Sequence, residues 1–194
     1  PRSREILGRV VDRDLSGLGF FRAADAVVEG IPVTVTRTGY TGDLGYEIWM
    51  KPEFQRHVFE RLMEAGKPFG IRPFGLRALN AMRLEKNYGG WAREYRPLYG
   101  PLEAGLDRFV AYGKEADFIG KQAALAERDG GGRLRLRAFC VQARDADVIG
   151  DEPIWLDGDV VGWVTSGGYA HNSKVSMALG YVPKEHADAG TGWE

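Results

Sequence analysis

The sequence offers few groups for redox or metal chemistry. Its 194 residues contain a single cysteine, Cys140, which excludes an intrachain disulfide framework. The three histidines, His57, His171 and His186, are scattered, and with one thiol they do not make a structural zinc site. Charge of one sign is not in excess either, with 26 Lys and Arg against 27 Asp and Glu. A nucleic-acid surface needs a basic stripe that displaces counterions, and this balance supplies none. No apolar run approaches the roughly 18 residues of a membrane span, and the opening residues do not read as a signal peptide. The expectation is a cytoplasmic protein with no nucleic-acid, membrane or metal partner, reading small molecules or other proteins.

What the chain has in quantity is glycine. There are 27, spread among short β-branched runs, which predicts many turns and considerable β structure. A short helix is expected after Ser3, with Ser3 as its cap. Ile31 to Arg37 alternates Ile31, Val33 and Val35 with polar threonines, as a half-buried strand does, and Gly45 to Met50 is a second strand. Pro52 to Ala65 reads as an amphipathic helix with Phe54, Val58, Phe59, Leu62 and Met63 along one side and Gly66 as its stop. A second helix is predicted from about Pro73 to Lys86, buried on more than one side. The aromatic loop from Asn87 to Gly105 is expected to pack against something, since a loop this rich in large side chains is seldom free.

After Gly113 the composition shifts. A short helix lies within Phe118 to Arg128, and Asp129 to Gly132 is the clearest linker-like stretch. Arg133 to Arg137 alternates as an edge strand with charges on one side. Ile154 to Trp163 is a hairpin pattern with Asp157-Gly158 at the turn, and Val175 to Val182 is one more strand. The fold class is α+β: an α+β domain over residues 1–113, then a small all-β unit over residues 114–194.

Generic catalytic motifs are scarce. Gly130 to Gly132 precedes a strand rather than a helix, so it is not a phosphate loop, and Thr165 to Tyr169 is read as a structural turn. The informative stretch is Thr38-Gly-Tyr-Thr-Gly-Asp-Leu-Gly-Tyr-Glu47. A carboxylate on a strand just after a glycine-rich hairpin is costly to bury without partners. A pterin or guanine edge satisfies it, because a ring N–H and an exocyclic amine match two carboxylate oxygens. Tyr40 and Tyr46 are candidates for an aromatic wall or a hydroxyl contact, and a solvated Glu47 on a surface hairpin is the plain alternative.

Arg37 to Glu47 resembles the signature hairpin of the glycine cleavage T-protein, or aminomethyltransferase, family. Gly75 to Lys86 resembles that family's Leu-Arg-Leu-Glu helix, Pro101 to Gly105 its Pro-x-Glu-x-Gly turn, and Gly162 to Gly168 with Ala178 to Pro183 its C-terminal barrel. The opening Pro1 to Leu7 fits as well, so the resemblance spans nearly the whole chain. Glu85 to Glu94 and Ala104 to Phe109 are more similar to the folate-binding C-terminal region of dimethylglycine and sarcosine dehydrogenases.

The resemblance implies that tetrahydrofolate is bound, with Glu47 on the pterin edge and Tyr40 lining the pocket. It makes Arg77, Arg83 and Trp91 further folate-binding candidates. Where the family carries a folate-site arginine this chain has Leu79, and Arg77 lies two residues earlier. Arg83 reads equally as a structural ion-pair partner. Tyr88 and Trp91 are expected mainly to pack in the core, Glu103 to brace a turn, and Trp155, Trp163 and Tyr169 to sit in core or interdomain contacts. The family's catalytic aspartate belongs to an N-terminal half upstream of Pro1, so no catalytic residue is assigned. An FAD domain is expected only further upstream, and the barrel's last strand is expected to be missing. The chain is thus expected to be a piece of an enzyme that passes a one-carbon unit from an oxidised methylamine to tetrahydrofolate, giving 5,10-methylenetetrahydrofolate. Its expected partners are folate, the one-carbon donor and its own N-terminal half. A non-catalytic scaffold domain and a folate-dependent O- or S-demethylase are the alternatives.

Overall fold

The computed structural model describes residues 2–190, 192 and 193. The chain folds as two compact units that divide between Met82 and Arg83. In the first, β1 (Ala23–Val28), β2 (Ile31–Thr36) and β3 (Glu47–Trp49) form an antiparallel sheet in that order. Strand alternation sends Ala26, Val28, Val33 and Val35 to one face, where they meet Leu7, Val11, Leu15 and Val58. Leu7 comes from α1 (Ser3–Leu7) and Val58 from α2 (Gln55–Gly66).

Two local expectations need revising in this unit, for identifiable reasons. Ser3 does not cap α1, because its hydroxyl donates instead to the Leu44 carbonyl at 2.6 Å. Gly66 ends α2, as expected, but not as a left-handed cap. It keeps right-handed helical geometry and leads into a single 3-10 turn, Lys67–Phe69, and the left-handed residue is Gly70. Gly66 is small for another reason: a Cβ there would lie 2.5 Å from Ile71 Cγ2. Along α2, Val58 is buried as expected, but Phe59 is exposed. α3 (Leu76–Glu85) also departs from the expectation of burial on several sides. Leu76 is 82% exposed, and only Arg83 and Leu84, in the last turn, are buried.

The second unit is a four-stranded antiparallel sheet in the order β4-β7-β6-β5. Its strands are β4 (Leu134–Val141), β5 (Pro153–Leu156), β6 (Asp159–Ala170) and β7 (Val175–Pro183). Ile154, Val164, Ala178, Val182 and Ala187 form the core, with Phe139, Val148 and Trp193 packed on it. Asp157 and Gly158, at φ 53° and 88°, make the primed turn that the hairpin pattern predicts. Thr165 to Tyr169 is not a turn but the continuation of β6, paired with β7 through a bulge between Val164 and Ser166. The glycines serve close approach there, since a Cβ on Gly167 would lie 2.2 Å from the Val148 carbonyl oxygen. Nor is Asp129 to Gly132 a linker. α4 (Lys121–Gly130) runs into it, and Gly131 and Gly132 close the helix with bonds to the Arg128 and Glu127 carbonyls.

Residues 87–105 pack within this second unit. Tyr99 stacks on Tyr181 with ring centroids 3.8 Å apart, and the Tyr181 hydroxyl donates to the Glu94 carbonyl at 2.8 Å. Glu103, expected to brace a turn, braces the start of β4: one carboxylate oxygen accepts the amides of Arg133 and Leu134 at 2.8 and 3.3 Å. Its own carbonyl accepts the Leu136 amide at 2.8 Å, in the place of a neighbouring strand. Trp155, Trp163 and Tyr169 are each partly exposed rather than enclosed in the core. Among the described residues no helix is long and apolar enough to cross a membrane.

Burial, with Tyr99 and Glu94 close by, pushes the Tyr181 phenol above its ordinary value. The native state therefore keeps this proton where the unfolded chain releases it. The Tyr181 contribution is fully present below a pH of about 10, the ordinary phenol value, and is lost as pH rises further. Urea denaturation at rising alkaline pH is expected to show a shallower loss of stability in Tyr181→Phe than in the parent chain.

Candidate functional site

The hairpin joining β2 to β3 is held from both ends. The pair Thr36–Glu47 closes its mouth, and the Thr36 and Thr38 hydroxyls bond to each other at 2.8 Å. Arg37 donates to the Leu18 carbonyl at 3.0 Å, while Ser3 fixes the far side through Leu44. Gly42 takes φ 79°, a conformation that L side chains rarely adopt. Tyr46 packs against the core, and its hydroxyl accepts the Arg4 Nε–H at 3.0 Å. The next side chain along, Glu47, belongs to the opposite, exposed face. Among the described residues Glu47 has no side-chain hydrogen bond or ion pair. Its two oxygens keep their full acceptor capacity, on a backbone already fixed by neighbours. Tyr40, at 37% exposure, lies on the same hairpin.

The other sequence-derived candidates are distributed. Arg77 is exposed on α3. Arg83 is 5% exposed and Glu94 fully buried, and they pair at 3.3 Å in the second unit. Arg83 also donates to the Ser166 hydroxyl at 2.7 Å and to the Tyr88 carbonyl at 3.1 Å. Glu94 accepts the Gly90 amide at 2.7 Å and the Thr165 hydroxyl at 2.5 Å. Every oxygen of this buried carboxylate is thus partnered, as a desolvated charge requires. Glu94 was not singled out in the sequence; the signal was the tight Gly-Gly-Trp-Ala-Arg-Glu spacing that lets it reach back to Gly90.

Trp91 follows Gly90 and is 84% exposed, the reverse of the expected core packing. Its ring meets Tyr95 edge-on at 6.0 Å. Tyr88, at the start of the same loop, is partly exposed. The structure therefore gathers Tyr40 and Glu47 on one hairpin, and Arg83 with the Trp91 loop around Glu94.

Comparison with known proteins agrees with this architecture. Residues 1–114 match the model of the GCVT N-terminal domain, and residues 135–194 that of the glycine cleavage T-protein C-terminal barrel domain. The chain is 41% identical over 192 residues to the mitochondrial dimethylglycine dehydrogenase of Mus musculus, covering 98% of this chain and 22% of that protein. It is 37% identical over 190 residues to an aminomethyltransferase of Halothermothrix orenii, covering 98% of this chain and 53% of that one. The crystal structure of glycine cleavage system aminomethyltransferase T from Bartonella henselae superposes with a TM-score of 0.82 at 25% identity, over 93% of this chain and 48% of its own. The chain thus spans about half, or less, of the length of these relatives. With more than half of its residues in the first of these matches, the chain belongs to the glycine cleavage T-protein family.

Proposed function

We propose that the first unit binds the pterin edge of tetrahydrofolate through Glu47. The observation that carries this reading is an unpartnered carboxylate on a hairpin whose backbone is fixed from α1 and β2. Two parallel N–H donors on a flat heterocycle match its two oxygens, and a charge-assisted bidentate pair is both stronger and more directional than a neutral contact. Because the hairpin is pre-formed, little ordering is lost on binding. Tyr40 lines the pocket beside the ring, and Arg77 offers an exposed cation to the ligand's carboxylates. Arg83 has its donors committed to Glu94, Ser166 and Tyr88, so its part is to brace the Trp91 loop.

Membership of the T-protein family and likeness to a dimethylglycine dehydrogenase support the rest of the reading. In the intact protein a methylated amine would be oxidised at an FAD domain and its one-carbon unit passed to tetrahydrofolate held by this chain, giving 5,10-methylenetetrahydrofolate. When bound, the reduced folate supplies the nucleophilic nitrogens. Residues of this chain hold and orient it, which raises the effective concentration of acceptor over that of water.

Calorimetric titration with 5-formyltetrahydrofolate tests the site. Glu47→Ala is expected to weaken binding by about tenfold to a hundredfold, the range for hydrogen bonds to a charged group. Unchanged affinity in that variant, or no binding by the full-length protein, overturns the folate reading. The second outcome favours the scaffold alternative.

A further inference from the structure

We infer that Trp49 is a second binding residue of the first unit, stacking its indole on the conjugated ring whose edge Glu47 holds, an inference that rests on the folate reading above. Glu47 and Trp49 are two residues apart on β3, so both side chains stand on the face turned away from the core. Ile48 between them packs inward, opposite Val35, which is fully buried. The register sets Thr36 across from Glu47 and Thr34 across from Trp49. Thr34 is itself tied to β1, where its hydroxyl donates to Asp25 Oδ1 at 2.8 Å. The strand that carries the indole is therefore backed by the core below and fixed by its neighbour alongside.

Trp49 is 61% exposed, although burial of an indole is the arrangement that apolar transfer favours. Its cross-strand pairing with Thr34 supports the sheet modestly and leaves most of the ring free. Among the described residues its indole N–H has no hydrogen-bond partner. Two residues of strand span about 6.6 Å, within the roughly 4.5–7 Å between centroids at which aromatic rings interact. A flat bicyclic ring joined edge-on to the Glu47 carboxylate thus lies within reach of the Trp49 ring. The nearest cross-strand neighbours on this face, Thr34, Thr36 and Asp25, are polar, so it is not the broad apolar patch that a protein partner needs. Trp49, Thr34, Asp25 and Lys51 border an open groove of about 810 Å³, room of the size that small ligands occupy.

The test is titration of the full-length protein with 5-formyltetrahydrofolate, read by calorimetry and by quenching of indole fluorescence. Trp49→Ala is expected to weaken binding on the order of tenfold, as loss of one stacked ring does. Trp49→Phe is expected to keep the affinity within about threefold of the parent, since a ring face is retained, and to lose part of the quenching. Trp49→Leu is expected to bind as weakly as Trp49→Ala, because it restores apolar area without a π face.

Unchanged affinity in Trp49→Ala, with binding weakened in Glu47→Ala, overturns this inference and leaves the folate reading standing. Recovery in Trp49→Leu equal to that in Trp49→Phe overturns the stacking role, and so does undiminished quenching in Trp49→Phe. Absence of binding by the full-length parent overturns the folate reading and this inference together.

Discussion

Glu94→Ala is expected to destabilise the second unit by about 3–5 kcal/mol, the range for breaking a buried ion pair from one side. The substitution leaves the Arg83 guanidinium 5% exposed with its counter-charge gone. It also strips acceptors from the Gly90 amide and the Thr165 hydroxyl. The Thr165 hydroxyl retains the Leu179 carbonyl at 3.1 Å, so the charge is the larger loss. Urea denaturation followed by circular dichroism measures the effect as a lower midpoint at unchanged slope. Arg83→Met combined with Glu94→Leu is expected to recover much of the loss, because a packed apolar pair costs no desolvation of charge. A Glu94→Ala variant within about 1 kcal/mol of the parent removes the claim that this pair braces the unit.

Gly162→Ala is the second large effect, expected at about 3 kcal/mol or slightly above, at the upper end for overpacking. A Cβ at this position would lie 2.1 Å from the Tyr181 carbonyl oxygen and 3.1 Å from Val182 Cγ1. The first of these atoms is backbone of β7 and cannot swing aside, so the β6–β7 pairing itself must shift. Gly113→Ala is the control. Nothing lies within 4 Å of its added methyl and its φ is ordinary, so that change is expected to be neutral or to stabilise by up to about 1 kcal/mol. Thermal unfolding of the two variants beside the parent separates crowding from the general effect of removing a glycine.

The legible parts of the fold are those whose causes are local. Ile31 to Thr36 announces a half-buried strand because one face alone is covered, and Asp157-Gly158 announces a hairpin because few residues tolerate its positive φ values. Glycines misled where their cause is a distant neighbour. Gly66 marks the end of α2 as read, and Gly167 reads as part of a turn, yet each is small because Ile71 or Val148 comes close, and sequence spacing does not show that.

The candidate site divides in the same way. The β2–β3 hairpin, with Tyr40 and Glu47, was visible as a run of glycines ending in a carboxylate on a strand. Glu94 was not, because its role depends on Thr165 and Arg83, which fold brings to it. Trp91 was expected inside because large aromatics are usually buried, whereas Gly90 and Glu94 turn it outward.

The carboxylate and carbonyl of Glu103 have a consequence for how β4 comes apart. β4 is an outer strand of its sheet, and the amides of Leu134 and Leu136 that face away from β7 are taken up by Glu103. By strand alternation the amides of Ala138 and Cys140 face the same way, and Glu103 does not reach them. Among the described residues the border of the sheet is therefore sealed at one end and open at the other. Fraying has a direction: it enters at Val141 and runs back toward Leu134, like a zip with a stop sewn in at one end.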